Sequence, residues 1–177
     1  MNYAKKLSNF MIEAIKNRRA HREFLSDPVP EEKLQEIIKA AAFAPSANAK
    51  QPWELIVVKD AQTKDLLSKA TPWSTFAKDA GVIIVVMGDV AESAYWVEDC
   101  SILAQNIWLE TTNQGLGACW IQIRNFGVAE KSIKDILNIP EKYRILCLMP
   151  IGVPAKGLPE HDEATIDKSK IKLEKYK

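Results

Sequence analysis

Apolar residues recur at intervals of three and four along two stretches near the N-terminus, and each stretch predicts a helix with one buried face. In the first, Leu7, Phe10, Met11, Ala14 and Ile15 carry the stripe, with Ser8 and Asn9 polar between them, and the pattern ends near the basic cluster Arg18 to Arg22. A turn follows at Ser26-Asp27-Pro28-Val29-Pro30. Pro30 suits the first helical position, and Glu31 and Glu32 suit the positive end of a helix dipole. Leu34, Ile37, Ile38 and Ala41 then define a second helix. It must stop before Pro45, because the residue ahead of a proline avoids helical geometry, and Pro45 to Pro52 reads as a structured loop.

Four β-rich runs follow: Trp53 to Val58, Val82 to Met87, Ala118 to Ile123 and Arg144 to Met149. The gaps between them are helical in pattern, at Ala61 to Ala70 with Trp73 to Lys78, at Ala91 to Gln114, and at Val128 to Leu137. Strand alternating with helix predicts βαβ units and a parallel sheet, although two leading helices fit that scheme poorly. Within Ala91 to Gln114, Val97, Cys100, Leu103, Ala104, Ile107 and Trp108 form one apolar stripe at 100° per residue. Tyr95, Ile102 and Leu109 form a second on another side. A helix apolar on two sides is central, and two readings stand: one side faces the chain's own sheet and the other a second subunit, or both are buried within one chain.

The 177 residues suit one domain, and 47% apolar with 27% charged residues supply an ordinary core. The longest apolar run, Val82 to Met87, is far short of the ~20 residues of a spanning helix, so no membrane role is expected. Ser8, Asn9 and Glu13 interrupt any signal-peptide core after Lys5 and Lys6. Cys100, Cys119 and Cys147 are odd in number, widely spaced and flanked by apolar residues, as reduced core cysteines are, which predicts a cytoplasmic protein. His21 and His161 have no cysteine or carboxylate at ligand spacing, so no metal site is expected. With 24 basic against 23 acidic residues, no global field recommends nucleic acid. The tail from Lys156 to Lys177 carries six lysines and five acidic residues. It reads as a solvated arm, or, through Ile166, Ile171, Leu173 and Tyr176, as a segment lying along a surface.

Chemistry has three candidate locations. Arg18 and Arg22 stand one helical turn apart if the first helix continues that far, so their guanidinium groups either converge on an anion or merely complement the helix dipole. The loop at Pro45 to Pro52 offers Ser46, Asn48 and Gln51 as hydrogen-bonding groups. Gly115-Leu116-Gly117 lacks the third glycine and following helix of a dinucleotide fingerprint and reads as the end of the long helix. No nucleophile elbow occurs, and no Ser or Cys has a persuasive His partner.

In this order the motifs resemble the FMN-dependent nitroreductase family over nearly the whole chain. Arg18-Arg19-Ala20-His21-Arg22-Glu23-Phe24 is similar to the family's N-terminal signature, and Ala44-Pro45-Ser46-Ala47 with Gln51-Pro52-Trp53 to its second. Gln105-Asn106 with Gly115-Leu116-Gly117 is similar to its central helix and exit. Ile151-Gly152-Val153-Pro154-Ala155 and Asp167-Lys168-Ser169-Lys170 resemble the end of its shorter members.

The resemblance implies an α+β fold: a three-layer α/β/α sandwich with a central, mostly antiparallel mixed sheet, in an intertwined homodimer with FMN at the subunit interface. Residues 1–177 would form a single FMN-binding domain, with 156–177 as a C-terminal arm embracing the partner. Arg18 and Arg19 would hold the FMN phosphate and ribityl region, beside Ala20, and Arg22 would approach the pyrimidine edge as electrostatic support. Pro45, Ser46, Ala47 and Asn48 would come from the other subunit, while Trp120, Ile121 and Gln122 would line the ring or its chain. The implied reaction is ping-pong hydride transfer from NADH or NADPH through flavin N5 to an electron-poor small-molecule acceptor such as a nitroaromatic or quinone. No catalytic protein nucleophile is implied. Ala20 stands where the family commonly has Ser, Ala49 where it has Asn, and at the C-terminal end only His161, Lys156 or Lys168 replaces a common phosphate-binding Arg. These departures leave two alternatives: a flavin-binding or storage protein with little turnover, or another flavin reaction on the same fold, such as reductive dehalogenation or flavin breakdown.

Overall fold

The apolar run Val82 to Met87 shows no alternation because both faces of its strand are covered. In the computed structural model, which describes residues 11–176, it forms β2 (Val82–Asp89), flanked by β1 (Trp53–Val58) and β5 (Tyr143–Gly152). The short strands β3 (Gly117–Ala118) and β4 (Ile121–Gln122) both pair with the far side of β5. The expected third run is thus broken at Cys119-Trp120.

Every ladder is antiparallel, which corrects the parallel sheet expected from the alternation and agrees with the antiparallel sheet implied by the resemblance. Register gives the reason. Val58, at the end of β1, faces Ile83, at the start of β2, so the chain leaves and re-enters the sheet at the same end. The helix α3 (Ala61–Ser68) and a 3-10 turn at Thr75–Asp79, the remnant of the helix expected at Trp73 to Lys78, make this connection a long hairpin rather than a crossover.

Side chains of β2 alternate between two cores. Val82, Ile84 and Val86 point toward α2 (Glu31–Ala42) and α4 (Trp96–Asn113), with Leu34, Ile37, Leu103 and Ile107. Ile83, Val85 and Met87 point to the opposite face, where Leu67 of α3 and Ile133 of α5 (Gly127–Leu137) cover them. Helices on both faces of one sheet give the three-layer sandwich. A bulge opposite Val86 and Met87 turns Leu146 and Cys147 of β5 into the same core.

The helix α4 resolves its two stripes differently. Cys100, Leu103, Ala104 and Ile107 are fully buried, whereas Tyr95 and Ile102 stay 56% and 43% exposed. Among the described residues nothing covers Tyr95 and Ile102, so that part of the second stripe is an exposed apolar face, while Leu109 is half-buried. The helix ends as Gly115 predicts: with φ +73° it sends its N–H to Thr112 O, and Leu116 N–H reaches Thr111 O, closing a Schellman cap.

At the N-terminus the described part of the first helix is only α1 (Glu13–Asn17); Leu7, Ser8, Asn9 and Phe10 lie outside the described residues. The Arg18 N–H caps α1, and the chain then runs extended, with Ala20 bridged to Ala118 and the His21 N–H donating to Ala118 O at 2.9 Å. Arg18 and Arg22 are consequently not one helical turn apart, which corrects that expectation: sheet-edge pairing takes over where the periodicity ends. Beyond Ala155 the tail is largely exposed, with single 3-10 turns at Glu163–Thr165 and Lys168–Lys170. Ile166, Ile171, Leu173 and Tyr176 are all exposed. Among the described residues no helix is long and apolar enough to cross a membrane.

Candidate functional site

The arginine cluster is shaped by its pairing with β3. Gly117 permits it: a Cβ there would stand 2.8 Å from His21 Cβ, so only glycine lets the two segments approach. The extended segment presents Arg18 and Arg19 half-buried and Arg22 exposed. Trp108 of α4 fixes the first two, since the Arg18 guanidinium lies 4.4 Å above its ring and its Nε1–H donates to Arg19 O at 3.3 Å. Burial, and then the neighbouring Arg19 charge, push the Arg18 pKa down from its ordinary value, and the same two causes shift His21 toward its neutral form.

Among the described residues no carboxylate pairs with Arg18, Arg19 or Arg22. Crowded guanidinium groups, two of them half-buried, with no such partner are a donor set for a phosphate or a carboxylate. Beside them run Trp120, Ile121 and Gln122. Trp120 Nε1 donates to Gln122 Oε1 at 2.8 Å and Gln122 Nε2 donates to Arg124 O at 3.0 Å, so indole and carboxamide are locked together, while Ile121 is buried in the sheet.

The loop after α2 holds a different kind of feature. Asn48, Ala49 and Gln51 have φ of 52°, 54° and 47°, three non-glycine residues in left-handed geometry within a few positions. Such backbone persists only where its surroundings impose it. Here the Gln51 N–H donates to Ser46 Oγ at 2.8 Å and the Ala47 N–H donates to Asp99 Oδ1 at 2.8 Å. Asn48 and Ala49 are left exposed at the tip, and Pro45 is exposed at its base.

The residues expected to form one site therefore fall into two groups. Arg18, Arg19, Ala20, Arg22, Trp120, Ile121 and Gln122 gather along the β3–β4 edge, whereas the loop of Pro45, Ser46, Ala47 and Asn48 is fastened to Asp99 through the Ala47 N–H. Asp99 and Trp108 belong to the same helix, roughly 13 Å apart along its axis at 1.5 Å per residue. Among the described residues no hydrogen bond or ion pair joins the groups. Two supporting residues were missed by sequence reasoning. Trp108 was legible only as part of an apolar stripe, and Asp99 was not singled out at all; its one signal was a charge adjoining the apolar-stripe position Cys100.

The nitroreductase family profile matches residues 15–74 and 60–153, with the arginine segment and the loop both inside it. The chain belongs to the nitroreductase family. An FMN-dependent nitroreductase from Clostridium difficile R20291 is 35% identical and superposes with a TM-score of 0.91, over 94% of this chain and 100% of that one. A protein of Methanothermobacter thermautotrophicus, assigned as an NADH dehydrogenase/NAD(P)H nitroreductase, is 35% identical over 169 residues, 94% of this chain and 87% of its own. An iodotyrosine deiodinase of Haliscomenobacter hydrossis is 28% identical over 189 residues, 88% of this chain and 84% of its own.

The nitroreductase-family chain is thus an oxidoreductase, and its three cysteines are not activated thiolates. Burial pushes the Cys119 thiol up against the opposing pull of Arg22, Cys100 is pushed up to about 12, and Cys147 well above its usual value. All three are held as thiols. Among the described residues no group of three or more His, Cys, Asp or Glu is placed to hold a metal.

Proposed function

We propose that the protein is an NAD(P)H-dependent FMN oxidoreductase that reduces nitroaromatics, quinones or similar electron-poor acceptors by a ping-pong mechanism. The observation that carries this reading is the trio of arginines that have no carboxylate partner among the described residues, on a segment pinned to β3, in a chain of this family. The donor set fits FMN: guanidinium groups for the phosphate, and carboxamides at Asn48 and Gln122 for a polar heterocycle edge.

Bound FMN supplies hydride acceptance from NADH or NADPH and hydride donation to the acceptor. The chain's residues do the rest. Arg18 and Arg19, steadied by Trp108, hold the phosphate and ribityl end. Arg22 sets a permanent positive charge beside the pyrimidine edge, where reduction leaves negative charge, and this electrostatic support favours the reduced state in a poorly solvated pocket. The Trp120–Gln122 pair forms a rigid wall.

The loop residues Pro45, Ser46, Ala47 and Asn48 complete the site from a second subunit. Their separation from the arginine group, and the exposed Tyr95 and Ile102 stripe of α4, support a homodimer with FMN at its interface. Each chain acts as one flavin-binding domain, with the arm 156–177 lying on the partner through its exposed Ile166, Ile171 and Leu173. The free, buried cysteines fit a cytoplasmic setting.

The test is steady-state oxidation of NADH and NADPH by FMN-loaded protein against a nitroaromatic and a quinone. Acceptor-dependent turnover with parallel double-reciprocal plots is expected. Absence of turnover with flavin bound would contradict the enzyme reading and favour storage; release of halide from a halogenated phenol without nitro or quinone reduction would favour dehalogenation.

A further inference from the structure

The wall formed by Trp120 and Gln122 ends in an arginine. Side chains alternate across a strand, and with Ile121 and Ile123 buried in the core beneath α5, Trp120, Gln122 and Arg124 share the opposite face, toward α4. The Ile123 and Arg124 N–H groups both donate to Leu146 O, at 3.1 and 3.0 Å, and Gln122 Nε2 donates to Arg124 O at 3.0 Å. The backbone that carries the guanidinium is thereby fixed to β5 and to the wall. The wall stops there, because the Phe126 N–H closes a turn on Ile123 O with Asn125 at φ 77°.

The helix α4 relates this arginine to the others. Arg18 lies over Trp108, whereas the Arg124 guanidinium carbon lies 6.0 Å from the ring centre of Trp96, the first residue of the same helix. The two tryptophans are about 18 Å apart along the helix axis at 1.5 Å per residue, so Arg124 stands at the far end of the wall from Arg18 and Arg19. Trp96 is itself seated on Gly88, where an added Cβ would meet its ring at 3.1 Å.

The usual partners of a half-buried arginine are missing. Among the described residues no carboxylate pairs with Arg124, whereas Arg144 is held by Glu130 through two hydrogen bonds. Of the acids in the first turn of α4, Asp99 is committed to the Ala47 N–H and to Ser93, and Glu98 is exposed with no ion pair to the arginine among the described residues. The helix dipole gives no compensation either. Trp96 opens α4, so the guanidinium stands by the positive end of that dipole, where a cation is disfavoured and an anion is favoured.

We propose that Arg124 reads a carboxylate on the molecule reduced at the flavin, so that aromatic acids are preferred as acceptors over neutral molecules of the same shape. The planar fork of a guanidinium matches a carboxylate through two parallel N–H···O bonds. A single guanidinium suits that single charge, while the crowded Arg18–Arg19 pair suits the more highly charged phosphate. The indoles of Trp96 and Trp120 supply aromatic surface beside the fork for the ring of the acid. This specificity rests on the proposed FMN function and narrows its substrate class; the electron transfer itself is unaltered.

The test uses FMN-loaded wild type, Arg124→Gln and Arg124→Lys. Benzoate and benzamide, neither of which accepts hydride from the flavin, are titrated into the oxidised proteins and followed by the change they cause in flavin absorption; 4-nitrobenzoate and 4-nitrobenzamide are then compared as acceptors. Arg124→Gln should bind benzoate about tenfold more weakly than the wild type, the factor of one lost charge-assisted contact. The ratio of kcat/KM for 4-nitrobenzoate to that for 4-nitrobenzamide should fall by a similar factor, through KM. Arg124→Lys should recover only part of either loss, since an ammonium keeps the charge without the fork. Benzoate affinity and acceptor ratio unchanged in Arg124→Gln would overturn the inference while leaving the flavin function intact. A rise in KM for NADPH, with none for NADH and no change in benzoate binding, would overturn it too, by assigning the guanidinium to the phosphate of the nucleotide, and loss of FMN from both variants would do so by assigning it to the cofactor. Failure of the wild type to retain FMN, or to reduce either acceptor, would overturn both the inference and the function.

Discussion

The Ala47 N–H donates to the Asp99 carboxylate at 2.8 Å, and Ser93 Oγ donates to its other oxygen at 3.2 Å, so a buried acid of α4 ties down the loop that carries Asn48 and Ala49. The left-handed residues of that loop do not hold their geometry unaided. Asp99→Ala should therefore destabilise the fold by about 2 kcal/mol, the cost of losing hydrogen bonds to a charged acceptor. It should also weaken FMN binding, although Asp99 does not touch the flavin. Urea denaturation and flavin titration check the two effects; a loss of stability with FMN affinity intact would remove the loop from the site.

Arg18 and Arg22 are expected to fail differently. Arg18→Ala should weaken FMN retention by about tenfold or more, through loss of a charged phosphate ligand. Arg22→Ala should slow flavin reduction by NAD(P)H more than it lowers FMN content. Anaerobic stopped-flow reduction, with flavin content measured on the same samples, separates them. Unchanged retention and unchanged kinetics in both variants would sink the assignment.

Much of this was legible in the sequence. The β1 bounds, the stop of α2 before Pro45 and the end of α4 at Gly115 follow from proline, glycine and apolar spacing, which act locally. Sheet direction was not legible, because the helical connection between β1 and β2 has the same local pattern whether it crosses the sheet or doubles back. The break at Cys119-Trp120 and the extended path after α1 likewise arise from pairing with β5 and β3, partners distant in sequence. In the site, the arginines and the loop were marked by their motifs. The anchors Asp99 and Trp108 were not, since their roles exist only where α4 meets those segments.

Gly117 offers a test of how the arginine segment is held. A Cβ placed there would meet His21 Cβ and Cγ, both at 2.8 Å, and the clash involves the root of a side chain that cannot swing aside. Gly117→Ala should cost about 1–3 kcal/mol. It should weaken FMN binding as well, by displacing Arg19 and Arg22 on either side of His21. A variant with wild-type affinity for FMN would mean that the pairing of this segment with β3 is irrelevant to the site.

Acid stability should depend on Glu130. Burial alone would raise its carboxyl pKa, but the Arg144 guanidinium, bound at 2.7 and 2.9 Å, and the Ile145 N–H at 2.9 Å hold it below the usual glutamate value. A carboxyl depressed in the folded state stabilises the protein above the unfolded value of about 4.3 and ceases to do so as pH falls through the lower folded value. Glu130→Gln should be about 2 kcal/mol less stable at pH 7, a figure reduced for the half-exposed Arg144. The difference should shrink below about pH 4. Urea midpoints at pH 7 and pH 3.5 decide it; a gap that stays constant would assign the effect to packing instead of ionisation.

The most direct test of the account is the visible absorption spectrum of the purified protein before and after FMN is added, followed by anaerobic addition of NADH and NADPH. The account predicts an oxidised-flavin spectrum that survives gel filtration at one FMN per chain and is bleached by at least one of the two nucleotides. A protein that stays colourless after exposure to excess FMN would contradict it, because the arginine segment along β3 would then hold no flavin.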